Sequence, residues 1–175
     1  MKWLKVILVI LIFCISVSLG NREEGAMNTE IPSLCQVYKD YFLIGAAINH
    51  QTVIFYDELL KKHFNSVTPE NQMKWELIHP LEQTYKFDSA DSIVDFALEN
   101  NIKVRGHTLV WHQQTPAWVF RDDNGKNIDK KTLLKRLEEH IKKVVGHYKG
   151  KVYAWDVVNE AISDNPSEFL RDALW

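Results

Sequence analysis

Cysteine is nearly absent from this chain. Cys14 sits inside an apolar N-terminal run and Cys35 is the only other, so without the first twenty residues no intramolecular disulfide can form. Cys35, between Leu34 and Gln36, reads as a small buried or half-buried hydrophobe with no catalytic weight. A basic excess is missing too: 21 Lys and Arg stand against 23 Asp and Glu. Removing Lys2 and Lys5 with the leader leaves 19 against 23, formally −4. A mildly acidic product has no electrostatic footprint for nucleic acid. The apolar run from Val6 to Leu19 is shorter than the roughly 20 residues a membrane span needs. It follows Lys2 and Lys5 and closes on Ser18-Leu19-Gly20, small residues at the positions a signal peptidase reads. A lipoprotein signal is disfavoured because Cys14 follows the bulky Leu11-Ile12-Phe13. Residues 1–20 therefore read as a secretory signal peptide, which implies a secreted or periplasmic product with no stable membrane anchor after cleavage.

What remains has no internal repeat or low-complexity segment and is long enough for one sizeable core. Residues 21–30 are polar and aperiodic and read as a flexible linker. A helix is expected from Ile31 to Asp40. From Phe42 onward, short apolar runs alternate with amphipathic stretches, which argues for βα units on a parallel sheet. The expected strands are Phe42–Asn49, Phe64–Pro69, Lys103–His112 and Val152–Asn159. Asp88 is expected to cap a helix reaching Asn100, with Ala90, Ile93, Val94 and Ala97 facing inward. Asp129 is expected to cap a longer one with the stripe Leu133, Leu137, Ile141, Val144, Val145 and Tyr148, ending before Gly150. Its outer face offers Glu138–Lys142 and Glu139–Lys143 pairs at i,i+4 spacing. Four strands and about three intervening helices make half of a closed eight-stranded barrel.

The chemistry-bearing residues cluster after the strands. Trp155-Asp156-Val157-Val158-Asn159-Glu160-Ala161 ends a strand with an amide beside a carboxylate, at the end where barrel enzymes gather catalytic groups. Partial burial there would favour the protonated form that an acid catalyst needs. Adjacent strand residues face opposite ways, so both enter one pocket only if the strand ends or bulges. The bland alternative is a Glu opening a helix after a capping Asn. In Arg105-Gly106-His107-Thr108-Leu109-Val110-Trp111-His112, an extended strand puts His107 and Trp111 on one face and His112 on the other. That disfavours a metal pair and suits a sugar ring, imidazole to hydroxyls and indole to C–H groups. A buried strand with core aromatics is the competing reading. In Thr68-Pro69-Glu70-Asn71-Gln72-Met73-Lys74-Trp75, three long polar side chains can bind vicinal hydroxyls, or Asn71 can simply cap a turn over Gln72–Leu77.

Together with Phe169-Leu170-Arg171-Asp172-Ala173-Leu174-Trp175, these runs resemble family 10 glycoside hydrolases, the endo-1,4-β-xylanases, from Gly45 to Trp175. The resemblance implies the N-terminal half of a (β/α)8 TIM barrel that hydrolyses internal bonds of xylan with retention of configuration. It assigns Glu160 as proton donor and Asn159, His107, Trp111, Gln114, Lys74, Asn71 and Glu70 as substrate-binding residues. It also implies a cis peptide between His107 and Thr108, and no metal or organic cofactor. The family's nucleophile lies in a Thr-Glu-Leu-Asp-like strand. The one Thr-Glu here, Thr29-Glu30, precedes Ile31-Pro32 and is no match. The 175 residues are therefore expected to be inactive alone and to self-associate through open sheet edges. A non-catalytic xylo-oligosaccharide-binding remnant and a non-functional truncated product stay open as alternatives.

Overall fold

The structure, a computed structural model, describes residues 31–175; the leader and linker expected over residues 1–30 lie outside them. Four parallel strands, β1 (Gly45–Ile48), β2 (Ser66–Pro69), β3 (Lys103–Val110) and β4 (Val152–Val158), lie in the order in which the chain makes them. Between them run helices α2 (His50–His63), α3 (Trp75–Ile78), α4 (Asp88–Glu99) and α5 (Lys130–His147); α1 (Leu34–Val37) precedes the sheet. This is the repeating βα arrangement that the sequence predicts, and it forms half of a (β/α)8 barrel.

Each strand is shorter than its expected span: β1 and β2 begin two or three residues later, and Asn49, Trp111, His112 and Asn159 leave the ladder at the C-terminal ends of β1, β3 and β4 to enter loops. The expected N-terminal helix shrinks to the four residues of α1, of which Cys35 alone is buried. Asp88 does not cap α4: Phe87 holds that position, and Asp88 is the first helical residue, where its charge meets the positive end of the helix dipole. Ala90, Ile93, Val94 and Ala97 are fully buried as expected. In α5, Asp129 accepts from the Thr132 amide at 2.8 Å and caps the helix. Val144 and Tyr148 are buried, and Leu137, Ile141 and Val145 pack against the same core. On its outer face Glu138 pairs with Lys142 at 2.5 Å, whereas Glu139 lies 3.8 Å from Lys135 and Lys143 rises over the Tyr85 ring.

Gly106 makes room for an indole between the site-bearing strands. It pairs with Trp155, and a Cβ there would come within 2.2 Å of the indole. The Trp155 ring therefore lies over bare backbone, next to the His107–Asp156 pair in the register.

Candidate active site

The four strands end at Ile48, Pro69, Val110 and Val158, and the next residues form one rim: Asn49, Glu70, then Trp111 and His112, then Asn159 and Glu160. Hydrogen bonds and ring contacts link side chains along this rim. Asn49 Nδ2 donates to Glu70 Oε2 at 2.8 Å. Lys74 lies at the centre and is 9 % exposed. Its Nζ donates to Asn71 Oδ1 at 2.9 Å and to Gln114 Oε1 at 2.8 Å, and lies 4.7 Å above the Trp111 ring. Burial lowers the pKa of this ammonium, while Glu70 and Glu160 act to raise it. A cation dressed by two amides and an indole face offers a sugar both a charged donor and a flat apolar platform.

Glu160 stands two residues beyond the end of β4, in the left-handed region at φ 53°. No helix follows it, which removes the helix-start alternative. Its Oε2 accepts from Trp111 Nε1 at 3.0 Å and lies 3.8 Å from His112 Nε2. Its own carbonyl accepts from Arg171 Nε at 2.9 Å. Gln114 is left-handed as well, at φ 46°, with its carbonyl held by the Glu76 amide at 2.9 Å. Two of the three non-glycine residues with positive φ among those described thus belong to the candidate site, where backbone strain tends to collect.

Two expectations are corrected here. His112 does not point away from Trp111. The ladder breaks register between His107 and Val110 and the strand ends there, so strand alternation no longer holds and both rings approach Glu160. Glu160 is also more open than partial burial implied, its side chain being 44 % exposed, because β4 borders the described sheet on that side.

His107 reaches the rim by another route. Its Nδ1 donates to Asp156 Oδ2 at 3.0 Å, which leaves the lone pair of the neutral ring on Nε2. Arg105 holds the other Asp156 oxygen through Nε at 2.9 Å and also through Nη2. The Asp156 carbonyl accepts from Thr108 Oγ1 at 2.8 Å, and the His107–Thr108 peptide is cis, as the resemblance implies. Asp156 was not singled out in the sequence; the available signal was its position, an acid on the neighbouring strand in register with a histidine. Asn159 is half-buried, with its amide on the Val110 carbonyl at 2.9 Å. With Trp111, His112, Glu160, Arg171 and Trp175 it lines a cavity of about 160 Å³. Trp175 closes that cavity by donating from Nε1 to the Trp111 carbonyl at 2.8 Å. Arg171 and Trp175 were legible only as parts of a motif. Among the described residues no group of three or more His, Cys, Asp or Glu is placed to hold a metal ion.

A parallel βα sheet whose C-terminal rim carries paired amides, a buried lysine, a half-buried indole and a carboxylate has the layout of a (β/α) barrel glycosidase. Residues 33–175 match the model of glycosyl hydrolase family 10, and the chain belongs to that family. A β-1,4-xylanase of Dictyoglomus thermophilum is 63 % identical over 169 residues, covering 97 % of this chain and 46 % of that protein. The crystal structure of xylanase XynB from Paenibacillus barcinonensis, complexed with a conduramine derivative, is 54 % identical. It superposes with a TM-score of 0.81, over 84 % of this chain and 44 % of the other. An intracellular xylanase from Thermoanaerobacterium saccharolyticum, solved with xylotetraose, is 42 % identical with a TM-score of 0.78, over 83 % and 48 %. The chain thus spans about half the length of the relatives it matches.

Proposed function

We propose that this chain supplies the proton donor and the glycone-side subsites of a retaining endo-1,4-β-xylanase. The observation that carries this reading is the continuous set Asn71–Lys74–Gln114–Trp111–Glu160, in which one hydrogen-bonded and cation–π chain links a sugar-binding cluster to a single carboxyl group. Glu160 gives its proton to the glycosidic oxygen as the bond breaks, and then takes one from the water that resolves the glycosyl intermediate. Asn159 hydrogen-bonds the sugar next to the scissile bond, and His107 and Trp111 flank that sugar. Lys74, Asn71, Glu70 and Gln114 take the sugars further out. The substrate is a xylan main chain or a xylo-oligosaccharide. Residues 1–20 direct export, to a secreted or periplasmic destination.

Retaining hydrolysis needs a second carboxyl about 5–5.5 Å from the first. The family's nucleophile motif has no counterpart in residues 1–175, so these residues bind but do not turn over xylan by themselves. Binding without turnover is accordingly the second reading for the chain on its own, favoured by the completeness of the Lys74 cluster within it.

A chimera tests the catalytic assignment. Residues 31–175 are joined to the remaining half of the Dictyoglomus thermophilum xylanase, with and without Glu160→Ala. Aryl glycosides with good leaving groups need little protonation and should keep far more activity than xylan in the variant. Equal losses on both substrates would remove Glu160 from the role of acid.

A further inference from the structure

The residue after Lys74 begins α3, and both ends of that four-residue helix are tied to one buried ring. Trp75 stacks on His140 of α5 with ring centroids 3.6 Å apart and planes 5° from parallel. His79, just past the end of α3, places Nδ1 3.1 Å from Nδ1 of His140 and Nε2 3.0 Å from the Glu82 carbonyl. These contacts fix the proton positions. The Glu82 carbonyl can only accept, so His79 Nε2 carries a hydrogen and the neutral ring has its lone pair on Nδ1. His140 must then donate from Nδ1, which leaves its Nε2 as a buried lone pair without a partner. We propose that His79 and His140 are positioning residues for Lys74, clamping the helix that begins at that lysine only while both rings are neutral.

A proton added to His79 has nowhere favourable to go. It forces His140 into its other tautomer, turning the orphan Nε2 from an unpaired acceptor into an unpaired buried donor. It also places an imidazolium in a shell where His140 is fully buried and His79 is 3 % exposed. The ionisable groups around the pair are Glu82 and Tyr85 on the following loop and Arg136, Glu139, Lys142 and Lys143 on α5. Glu82 and Glu139 favour a charged His79, but desolvation is the larger effect and lowers its pKa; desolvation brings that of His140 to about 3. Protons have a path, because His79 borders an open cleft of about 540 Å³. Acid therefore acts first on the α3 clamp, and through Trp75 on the backbone that presents Lys74 to Asn71 and Gln114. The link from Lys74 to sugar binding rests on the function proposed above; the clamp itself does not.

The full chain tests both parts separately. Imidazole ¹⁵N spectra at pH 7 should show His140 protonated at Nδ1 and His79 at Nε2; the opposite tautomers would overturn the clamp. Amide protection at Leu77, Ile78 and His79 should fall about tenfold per pH unit below about 6, ahead of Val104 in β3. Protection that is constant, or lost in step with Val104, would also overturn it. His140→Asn can donate to neutral His79 and, after its amide turns, accept from the protonated ring. It should shift the loss of α3 protection to lower pH, and an unshifted midpoint refutes the role of His140. If that variant does not fold, the wild-type tautomers and protection profile still decide. Xylotriose affinity, followed in parallel, should fall with α3 protection. Intact tautomers and acid-labile α3 protection without xylotriose binding at any pH would leave the clamp standing and remove the sugar-binding reading.

Discussion

At the scale of single residues, geometry rather than residue type decides which groups matter. Three glutamates and aspartates near the rim look alike in the sequence, yet they are placed for different work. Glu70 is held by an amide, Asp156 by an arginine and a histidine, and Glu160 by an indole N–H with its own backbone turned left-handed. Gly106 illustrates the same dependence on placement. Replacing it with alanine sets a methyl group against the Trp155 ring, at 2.2 Å where no relaxed contact exists. Either the indole swings out or β3 and β4 separate, and overpacking of this kind typically costs about 1–3 kcal/mol. Gly106→Ala should lower the urea midpoint of the chain accordingly and shift the His107 ring resonances, since His107 pairs with Asp156, the neighbour of Trp155. An unchanged midpoint would show that the sheet yields at that point without cost.

At the scale of elements, periodicity was the most readable signal. α4 and α5 were legible because each must bury one stripe against the sheet, and a stripe leaves a 3.6-residue rhythm. Asp129 was legible as a cap for an equally local reason, its side chain accepting from the amide three residues on. Asp129→Ala should therefore cost about 1 kcal/mol, readable as a lower thermal midpoint, whereas Asp88→Ala should cost less because Asp88 makes no capping hydrogen bond. Equal losses would contradict the two assignments. α2 was the least readable helix. Leu60 is its only fully buried residue, Ile54, Phe55 and Leu59 point outward, and its backbone leaves helical values at Tyr56. Its one local cue was the reciprocal Asn49–Thr52 cap. His140 was hidden for a different reason: it lies between the apolar positions of a stripe, and nothing in the sequence announces that a ring on a loop 61 residues earlier will meet it. The rim motifs named the site residues, but the turn of His112 toward Glu160 depended on where β3 loses its register, which alternation cannot foresee.

At the scale of the whole molecule, two consequences follow from these placements. The first concerns pH. His79 and His140 titrate below their ordinary value in the folded state, so the unfolded chain binds more protons than the folded one as soon as the pH falls below about 6.5. Stability from His140 is complete above that point and declines toward about pH 3, at up to about 1.4 kcal/mol per unit, and His79 adds a loss of the same sign. Asp129, its pKa held down by the Thr132 backbone and hydroxyl, adds loss only below the ordinary carboxylate range. A urea series from pH 8 to pH 4 should therefore show the decline starting near 6.5, and a profile flat down to pH 5 would contradict it. The second concerns the sheet margins. β1 and β4 each have one neighbour among the described strands. On β4, Tyr153, Val157 and Val158 are each more than half exposed. An unpaired strand edge flanked by wet apolar side chains recruits further strands. Residues 31–175 alone should self-associate, with sedimentation coefficients that rise with concentration, and Val157→Lys should reduce the effect because a charge beside an open edge opposes pairing. The chimera with the second half of the Dictyoglomus thermophilum relative should sediment as a monomer, since pairing then consumes both edges. A monomeric isolated chain, or a chimera that still associates, would show that these margins are not what governs its assembly.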